Sequence, residues 1–459
     1  MLHVFIKDIF KNKILINQNI RVKGWVKNKR SAKSNLFFID LYDGSCLNTL
    51  QLVIKNNLIN QNDILKIIPG CSLSVEGKLI HSKNLKQKFE IFVVKIYVLG
   101  WLENSHAYPM SSKKHTMEHL RKFSHLRPRT NIIGVVSRIR STVFQSFHNF
   151  FSKNDYYWVS SPIITSLNAE GAGEMFSVLH KDAEINKTSK KDNFFGKKVF
   201  LTVSGQLTIE AYACALSKVY TFGPIFRAEN SNTTRHLSEF WMLEVEMAFY
   251  KLSNIIKFIE KMLKYVFKMI LKKNYDDLFF LQKNLNSRII DRLKKFLESK
   301  INQIEYFEAV EILKKNKNFF SQKIFYGMEL TTDHEKFLTN QYFKNPIIVK
   351  NYPKRIKPFY MRINNDHETV AAIDILFPDV GEIIGGSERE ERINELDKRI
   401  KELNLDINDY TWYRELRLYG TVPHSGFGLG LERLIMYITG IKNIKDVIPF
   451  PRTVKNADF

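Results

Sequence analysis

The chain has few cysteines, no long apolar run and a deficit of acidic residues. Its three cysteines, Cys46, Cys71 and Cys214, lie far apart and form no C-x-x-C pair. The sequence therefore predicts neither a disulfide framework nor a thiolate zinc site. No apolar run reaches the roughly 18 residues that a membrane span requires. We expect a soluble protein of the reducing cytoplasm, with no leader peptide and no membrane association.

Charge is the next strong feature of the composition. Lysine and arginine number 70 against 47 aspartates and glutamates, which gives a formal net charge of +23. Such a balance favours a polyanionic partner, above all a nucleic acid. Lysine is abundant together with asparagine, isoleucine, phenylalanine and tyrosine, however, as an AT-rich genome would produce without selection for binding. Both interpretations of the lysines stay open at this point.

A length of 459 residues is sufficient for about three domains. Five short β-rich runs, separated by turn residues such as Asp43-Gly44 and Pro69-Gly70, predict a small barrel over residues 1–100, of the OB-fold type that binds oligonucleotides. Residues 101–130 are predicted to form a linker, and residues 131–459 an α+β domain with a helical insertion at about 251–320. The five predicted strands are residues 20–26, 36–41, 50–54, 72–79 and 89–99.

Two helices of the second domain are predicted from apolar spacing, over residues 131–151 and 252–271. A third is predicted to open at a capping box, Ser387 to Glu390, because an apolar stripe follows it at helical spacing. That stripe consists of Ile393, Leu396, Ile400 and Leu403.

A charged hairpin from Phe226 to Met247 carries the first indication of chemistry. In a β-strand, residues two apart share a face, so Arg227 and Glu229 are predicted to point together, as are Glu244 and Glu246. A sheet face with these charges would be costly to bury unless it met a charged ligand. The hairpin therefore predicts a site for a charged small molecule.

A second run, Gly426 to Arg433, suggests which molecule that is. Because Gly426, Gly428 and Gly430 alternate, one face of the strand has no side chains, and a planar group such as adenine could lie against the backbone. The spacing matches neither the Rossmann nor the Walker pattern. Arg227 and Arg433 offer two clamps for phosphates, and Asp374 and Glu382 offer oxygen ligands for magnesium. Together these residues predict an ATP site without a P-loop.

The segment ending at Pro162, the hairpin and the glycine run resemble the first, second and third signature motifs, in that order, of the class II aminoacyl-tRNA synthetases. Within this class the chain is most similar to the bacterial asparaginyl branch of the subgroup that includes the aspartyl and lysyl enzymes. The most specific matching runs are Glu170 to Phe176, Thr202 to Leu207 and Tyr419 to Gly426. The resemblance implies an α+β catalytic domain with an antiparallel sheet flanked by helices, an N-terminal OB-fold barrel, and a homodimer formed through the Pro162 segment.

The resemblance also implies roles for individual residues. Arg227, Glu382 and Arg433 would be catalytic, with Arg227 on the α-phosphate of ATP. Glu229, His236 and Phe240 would orient and stack the nucleotide, and Asp374 and Glu382 would hold Mg²⁺. In the first domain, Arg30, Phe38 and Gln51 would contact the tRNA anticodon, with Phe38 stacking on its central base.

The amino-acid pocket would contain Glu170, Gln206 and Glu244 around the main-chain groups, and Arg389 at the side-chain carbonyl. The aspartyl enzymes place a lysine where this chain has Ile209. We expect the next residue, Glu210, to accept from the amide of asparagine and to repel aspartate. The resemblance thus implies that L-asparagine is activated with ATP and transferred to tRNA(Asn). An aspartyl enzyme of relaxed specificity and a catalytically silent RNA-binding protein are the alternatives.

Overall fold

The computed structural model describes residues 2–32, 36–82, 87–104, 107–110, 115–169, 174–180 and 194–459. Contacts between residues divide the chain into two compact units, Met1–Ser137 and Arg138–Phe459. The division lies near residue 131, where the sequence predicts that the second domain begins. The exact domain boundaries remain predictions.

The first unit is a closed five-stranded barrel, in the order β1-β2-β3-β5-β4. All its strand pairs are antiparallel except β3 with β5. Along β1, Ile20 and Val22 are buried while Lys23 is exposed, because alternate side chains of a strand face opposite sides. The OB-fold prediction is confirmed. The strands are β1 Asn19–Ala32, β2 Leu36–Tyr42, β3 Leu50–Lys55, β4 Ser72–His81 and β5 Phe89–Gly100, and the helices are α1 Ile6–Phe10, α2 Gln61–Lys66 and α3 Met117–Lys122.

The second unit contains an eight-stranded sheet, in the order β11-β12-β13-β14-β15-β10-β9-β6, and a separate two-stranded pair, β7 with β8. The six central strands pair antiparallel, and the two edge strands pair parallel to their neighbours. The predicted antiparallel sheet is therefore confirmed, with a parallel strand at each edge. The strands are β6 Tyr157–Trp158, β7 Ile164–Thr165, β8 Phe200–Leu201, β9 Lys218–Phe226, β10 Glu239–Ala248, β11 Asn302–Glu305, β12 Ile347–Pro353, β13 Thr369–Phe377, β14 Gly381–Glu388 and β15 His424–Gly430.

Helices flank this sheet. The predicted helices at 131–151 and 252–271 are confirmed as α4 and α6, whose apolar stripes are buried. No helix within the described part of the chain is both long and apolar enough to cross a membrane. The helices are α4 Asn131–Ser152, α5 Gln206–Leu216, α6 Leu252–Lys273, α7 Tyr275–Leu285, α8 Ile289–Glu298, α9 Tyr306–Lys315, α10 Thr332–Lys336, α11 Ile393–Glu402, α12 Thr411–Leu418 and α13 Leu431–Thr439.

The predicted capping box at Ser387 to Glu390 is wrong. Ser387 and Glu388 are the last residues of β14, where Ser387 lies opposite Gly426 of β15. The helix begins only at Ile393. The local pattern was outweighed by strand pairing, since the backbone groups of Ser387 are bonded within the sheet and need no cap.

Candidate active site

A cavity of about 470 Å³ opens on one face of the central sheet, over β10, β14 and β15. Its wall combines arginines, carboxylates and apolar side chains, as expected of a site for a charged planar ligand. It brings together residues that the sequence places more than two hundred positions apart. The predicted residues that line it are Gln206, Arg227, Glu229, His236, Phe240, Glu244, Asp374, Glu382, Arg389 and Arg433.

The floor of the cavity is made by glycines on two neighbouring strands. Gly428 lies between Gly385 of β14 and Glu244 of β10 in the sheet register. Gly428 and Gly430 line the cavity, as predicted. Gly426 differs: a Cβ there would lie only 2.0 Å from Glu246 Oε1, so that carboxylate already covers its face. A Cβ at Gly428 would lie 2.6 Å from Met242 Cε, whereas one at Gly430 would meet no atom closer than 3.8 Å, so Gly430 has the most open face of the three glycines.

Arg227 lies one residue beyond its predicted strand. β9 ends at Phe226, so Arg227 and Glu229 extend from the loop that follows and not from the strand itself. The loop stays in place because the Arg227 N–H donates to the carbonyl of Ser238, at 3.0 Å. The guanidinium carbon of Arg227 lies 5.6 Å from the centre of the Phe240 ring, within cation–π range. Arg227 and Phe240 therefore form one wall of the cavity.

His236 is held by the hydroxyl groups of the same loop. Its Nδ1 lies 2.6 Å from Thr233 Oγ1 and 3.1 Å from Ser231 Oγ. Burial lowers the pKa of His236, and the positive charge of Arg433 lowers it further. We therefore expect a neutral imidazole at pH 7, able to exchange hydrogen bonds without adding charge.

Arg433, in the first turn of α13, lies against β14. Its Nη1 donates to the carbonyl of Glu382 at 2.9 Å and lies 3.6 Å from that residue's carboxylate. Two further residues were not among the predicted site residues. Arg235 also lines the cavity and is paired with Glu335 at 3.2 Å. Its place in the charged hairpin could have indicated it, whereas nothing in the sequence around Glu335 marks that residue.

Asp374 and Glu382 converge, as a magnesium site requires. A Cβ at Gly385 would lie 3.0 Å from an oxygen of Glu382 and 3.5 Å from one of Asp374, so both carboxylates border a space that a side chain at 385 would fill. Among the described residues, no group of three or more His, Cys, Asp or Glu side chains could hold a metal ion. Two carboxylates still fit Mg²⁺, because this ion usually takes one or two of them and completes its octahedron with phosphates and water.

The opposite end of the cavity is formed by buried charges. Glu244 accepts from the Gly205 N–H at 2.9 Å and from the hydroxyl of Ser204. Arg389 is buried and forms a two-pronged ion pair with Glu246, and its Nη1 donates to Ser387 Oγ at 2.7 Å. Glu246 was not among the predicted site residues, although its alternation with Glu244 placed it on the same face.

The structure corrects the expected position of Glu210. Its side chain has no exposed surface and is not among the residues that line the cavity. Gln206 and Glu210 lie on the same face of α5 and are hydrogen-bonded to each other, but Glu210 is one turn further along the helix, where the hydroxyl of Tyr413 on α12 donates to it. The other predicted amino-acid ligand, Glu170, lies outside the described residues.

The three predicted anticodon residues are in contact with one another on neighbouring strands of the barrel, and Gln51 among them is buried. Arg30 of β1 lies opposite Phe38 of β2, and its guanidinium carbon is 5.4 Å from the ring centre. Arg30 Nη2 also donates to Gln51 Oε1 on β3. The neighbouring Phe37 is partly buried and packs against the barrel core, as expected from the alternation of side chains along a strand.

Comparison with known proteins identifies both units. Residues 116–454 match the family described as tRNA synthetases class II (D, K and N), and residues 20–99 match the OB-fold nucleic acid binding domain. The first match covers well over half of the chain. The chain belongs to the class II tRNA synthetases. The resemblance found in its three motifs is thereby confirmed.

Individual class II synthetases are similar to it over nearly their whole length. The asparagine–tRNA ligase of Buchnera aphidicola (from Acyrthosiphon pisum) is 58% identical, with all of both chains covered. That of Escherichia coli O157:H7 is 51% identical over 99% of each. The crystal structure of the Pyrococcus horikoshii asparaginyl-tRNA synthetase, complexed with asparaginyl-adenylate, superposes with a TM-score of 0.87 at 30% identity, over 99% of both chains.

Proposed function

We propose that the protein is an asparagine–tRNA ligase, which activates L-asparagine with ATP and transfers it to the 3′ end of tRNA(Asn). The observation that carries this function is the full-length identity of 50% or more to curated asparagine–tRNA ligases. Neither an aspartyl enzyme of relaxed specificity nor a silent RNA-binding protein is favoured by these relatives. The intact set of cavity arginines and carboxylates also argues against a silent protein.

In the first step, the carboxylate of asparagine attacks the α-phosphate of ATP and pyrophosphate leaves. We assign Arg227 to the α-phosphate, where its fixed guanidinium would stabilise the negative charge that develops. Adenine would lie on Gly428 and Gly430 with Phe240 against it, while Glu229 and His236 orient the nucleotide. Arg433 would cover the opposite face of adenine or bind the γ-phosphate. Since the substrate carboxylate is the nucleophile, no residue of the chain has to act as base.

Mg²⁺ bound by Asp374 and Glu382 would supply charge neutralisation of the phosphates. At the other end, Gln206 and Glu244 would hold the main-chain groups of asparagine. Arg389, fixed by Glu246 and Ser387, would donate to the side-chain carbonyl. Glu170 belongs to the same proposed set, although it lies outside the described residues.

The direct test is ATP–pyrophosphate exchange with the purified protein, with asparagine or aspartate added separately and tRNA left out. Exchange that depends on asparagine is the expected result. Exchange with aspartate alone would assign the protein to the aspartyl branch. Exchange with neither would favour the silent RNA-binding alternative.

We further propose that the active enzyme is a homodimer formed at the segment around Pro162. Large apolar side chains are exposed there at the edge strand β6, with Tyr157 60% and Trp158 55% exposed, and Ile163 and Ile164 follow. An edge strand with exposed apolar side chains is typical of a surface that another chain covers.

Trp158→Arg should convert the dimer to a monomer, because a buried aromatic anchor would be replaced by a charge at the centre of the contact. Sedimentation velocity at micromolar concentration measures the change. Phe307→Arg is the matched control, since Phe307 is 58% exposed on α9, which packs against β11 and β12 at the opposite edge of the sheet from β6. A Trp158→Arg protein that remains dimeric would rule out this surface.

The barrel is proposed to bind the anticodon through Arg30, Phe38 and Gln51. Residues 1–137 contain 22 lysines and arginines against 8 aspartates and glutamates, so this part of the chain is far more basic than the rest. This excess of positive charge suits a surface that binds the phosphates of a nucleic acid. It favours a functional origin for the charge of this unit over genome composition alone. We also propose a cytoplasmic location, with which the small number of cysteines and their wide separation in the sequence agree.

Phe38→Ala should raise the KM for tRNA about 10- to 100-fold, because stacking of a base on an aromatic ring contributes about 1–3 kcal/mol. Exchange in the absence of tRNA should stay unchanged. Aminoacylation kinetics with transcribed tRNA measure the effect, and Tyr97→Ala, which removes an exposed aromatic from β5, is the control. An unchanged KM for tRNA would remove Phe38 from the interface.

A further inference from the structure

The two carboxylate oxygens of Asp374 have different surroundings. Oδ2 accepts a hydrogen bond from Nζ of Lys357, in an ion pair of 2.7 Å. Oδ1 is the oxygen that borders, together with Glu382 Oε1, the space beside Gly385. Gly385 lies directly opposite Asp374 in the pairing of β13 with β14, so a side chain there would fill that space. One oxygen of Asp374 is therefore held by a protein cation, and the other faces the proposed position of Mg²⁺.

Lys357 is held in this place by further contacts. Its Nζ lies 4.0 Å from the centre of the Tyr352 ring, within cation–π range. Its backbone carbonyl accepts a hydrogen bond from Nη2 of the buried Arg399, at 3.2 Å. The side chains of Lys357 and Asp374 are only 15% and 14% exposed, and both residues line the cavity. The ammonium group is thus a fixed part of the cavity wall.

The neighbouring charges determine how strongly this position attracts a cation. The carboxylate of Asp374 is paired with Lys357, and that of Glu382 lies 3.6 Å from Nη1 of Arg433. Because each carboxylate already faces a positive side chain, a divalent ion gains little electrostatic energy from the two carboxylates alone. The phosphates of ATP would supply the additional negative charge. The arrangement therefore favours an ion that binds together with the nucleotide.

The ion pair also limits how Asp374 can coordinate a metal. Mg²⁺ requires a nearly ideal octahedron of oxygens, whereas Ca²⁺ takes roughly six to eight oxygens and often binds both oxygens of one carboxylate. With Oδ2 held by Lys357, Asp374 offers Oδ1 alone. Coordination through one oxygen suits the smaller ion and deprives the larger ion of a ligand that it would use.

We infer that Lys357 is a positioning residue of the magnesium site. It directs one oxygen of Asp374 to the ion, prevents this carboxylate from binding through both oxygens, and makes tight binding of the ion depend on the phosphates of ATP. Hydrogen-bonding partners commonly orient the carboxylate ligands of metal sites. This inference rests on the proposed function, from which the nucleotide and the metal follow.

Lys357→Met removes the ammonium group and frees Oδ2 of Asp374. In the absence of ATP, we expect the variant to bind Mn²⁺, an octahedral probe for Mg²⁺, about tenfold or more tightly than the wild type, because a positive charge beside the ion is lost. Competition against the bound Mn²⁺ should shift about fivefold or more in favour of Ca²⁺ relative to Mg²⁺, because both oxygens of Asp374 become available. The electron paramagnetic resonance signal of free Mn²⁺ measures both effects.

Two variants serve as controls. Lys357→Arg keeps a positively charged donor, and its affinity for Mn²⁺ should stay within about threefold of the wild type. Lys350→Met removes a lysine that is paired with Glu305 at 3.1 Å and is not among the residues that line the cavity, so its metal binding should not change.

Loss of the lysine leaves the carboxylate of Asp374 without its partner, which can destabilise the protein. Melting curves show whether Lys357→Met is folded. If it is not, Lys357→Gln takes its place, because glutamine removes the charge but retains a polar group. The same gain in Mn²⁺ affinity is expected from this variant.

The double variant Lys357→Met with Asp374→Asn tests whether the ion binds at Asp374. The gain in Mn²⁺ affinity should disappear, because the freed carboxylate is lost. A gain that persists in the double variant would overturn the inference. Unchanged or weaker binding of Mn²⁺ by the folded single variant would also overturn it, since a merely structural lysine would support the carboxylate without competing with the ion.

The dependence on nucleotide is measured with the wild-type protein by water proton relaxation, which detects Mn²⁺ bound to the protein when ATP is present. We expect Mn²⁺ to bind about tenfold or more tightly with ATP than without it, and equal affinities would contradict the inference. None of these measurements needs asparagine or turnover. A wild-type protein without asparagine-dependent exchange would therefore contradict the proposed function, while the Mn²⁺ results would still decide the role of Lys357.

Discussion

Arg227→Ala should lower asparagine-dependent ATP–pyrophosphate exchange about 10³-fold or more. The guanidinium of Arg227 borders the cavity against Phe240, and it is the residue assigned to the α-phosphate. Removing one preorganised group that stabilises transition-state charge typically costs about 10²–10³ in rate, and a phosphate-binding arginine can cost more. The change should fall on kcat, because the charge on the reacting phosphate grows in the transition state.

Arg414→Ala is the control for Arg227→Ala. Arg414 lies on α12 and is paired with Asp397 at 2.6 Å, a partly exposed ion pair outside the cavity lining. Its loss should leave exchange within about twofold of the wild type and cost at most about 1 kcal/mol of stability. Normal exchange by Arg227→Ala would remove Arg227 from the phosphate site and with it the assignment of the cavity.

Gly426→Ala should raise the KM for asparagine about 100-fold. A Cβ at this position would lie 2.0 Å from Oε1 and 2.2 Å from Cδ of Glu246, and Glu246 is itself buried. Its carboxylate would have to move, and Arg389 would lose the pair that holds it. Overpacking of this kind typically costs about 1–3 kcal/mol of stability. Exchange kinetics at varied asparagine, with a melting curve, measure both effects.

The KM for ATP should change much less in Gly426→Ala, because Gly428, Gly430 and Arg227 are left in place. Gly223→Ala is the matched control: Gly223 lies in β9 of the same sheet, and its added Cβ would meet no atom within 4 Å. Equal effects of the two substitutions would show that strand flexibility, and not the position of Glu246, explains the loss.

The helices and strands that follow from local periodicity were predicted well from the sequence. The five barrel strands and helices α4 and α6 lie where alternation and helical spacing placed them. In these segments one face is buried, and the spacing of the apolar residues on that face distinguishes a strand from a helix. Where two local signals competed the prediction failed, as at Ser387, whose capping pattern yielded to pairing with β15.

Contacts between distant segments could be predicted only from the resemblance to a family. The residues next to Arg227 and Arg433 in the sequence do not indicate that these two arginines border the same cavity. Motifs indicated that both belong to one site, and the sheet order explains how, since β10 pairs with both β9 and β15. Glu335 was missed because its partner Arg235 is a hundred residues away and no motif joins them.

The sequence by itself determined the fold class and the family, and with them many of the charged side chains that line the cavity, because strand alternation, the glycine run and the family motifs mark those residues. Tertiary structure alone decided what each charge does there. Glu210 was expected to touch the substrate, but it lies one turn beyond Gln206 along α5 and is paired with Arg417 and His424. The carboxylate of Glu246 covers the face of Gly426 and forms an ion pair with Arg389. Burial and pairing set the direction and charge of a side chain, and both depend on neighbours that come from remote parts of the chain.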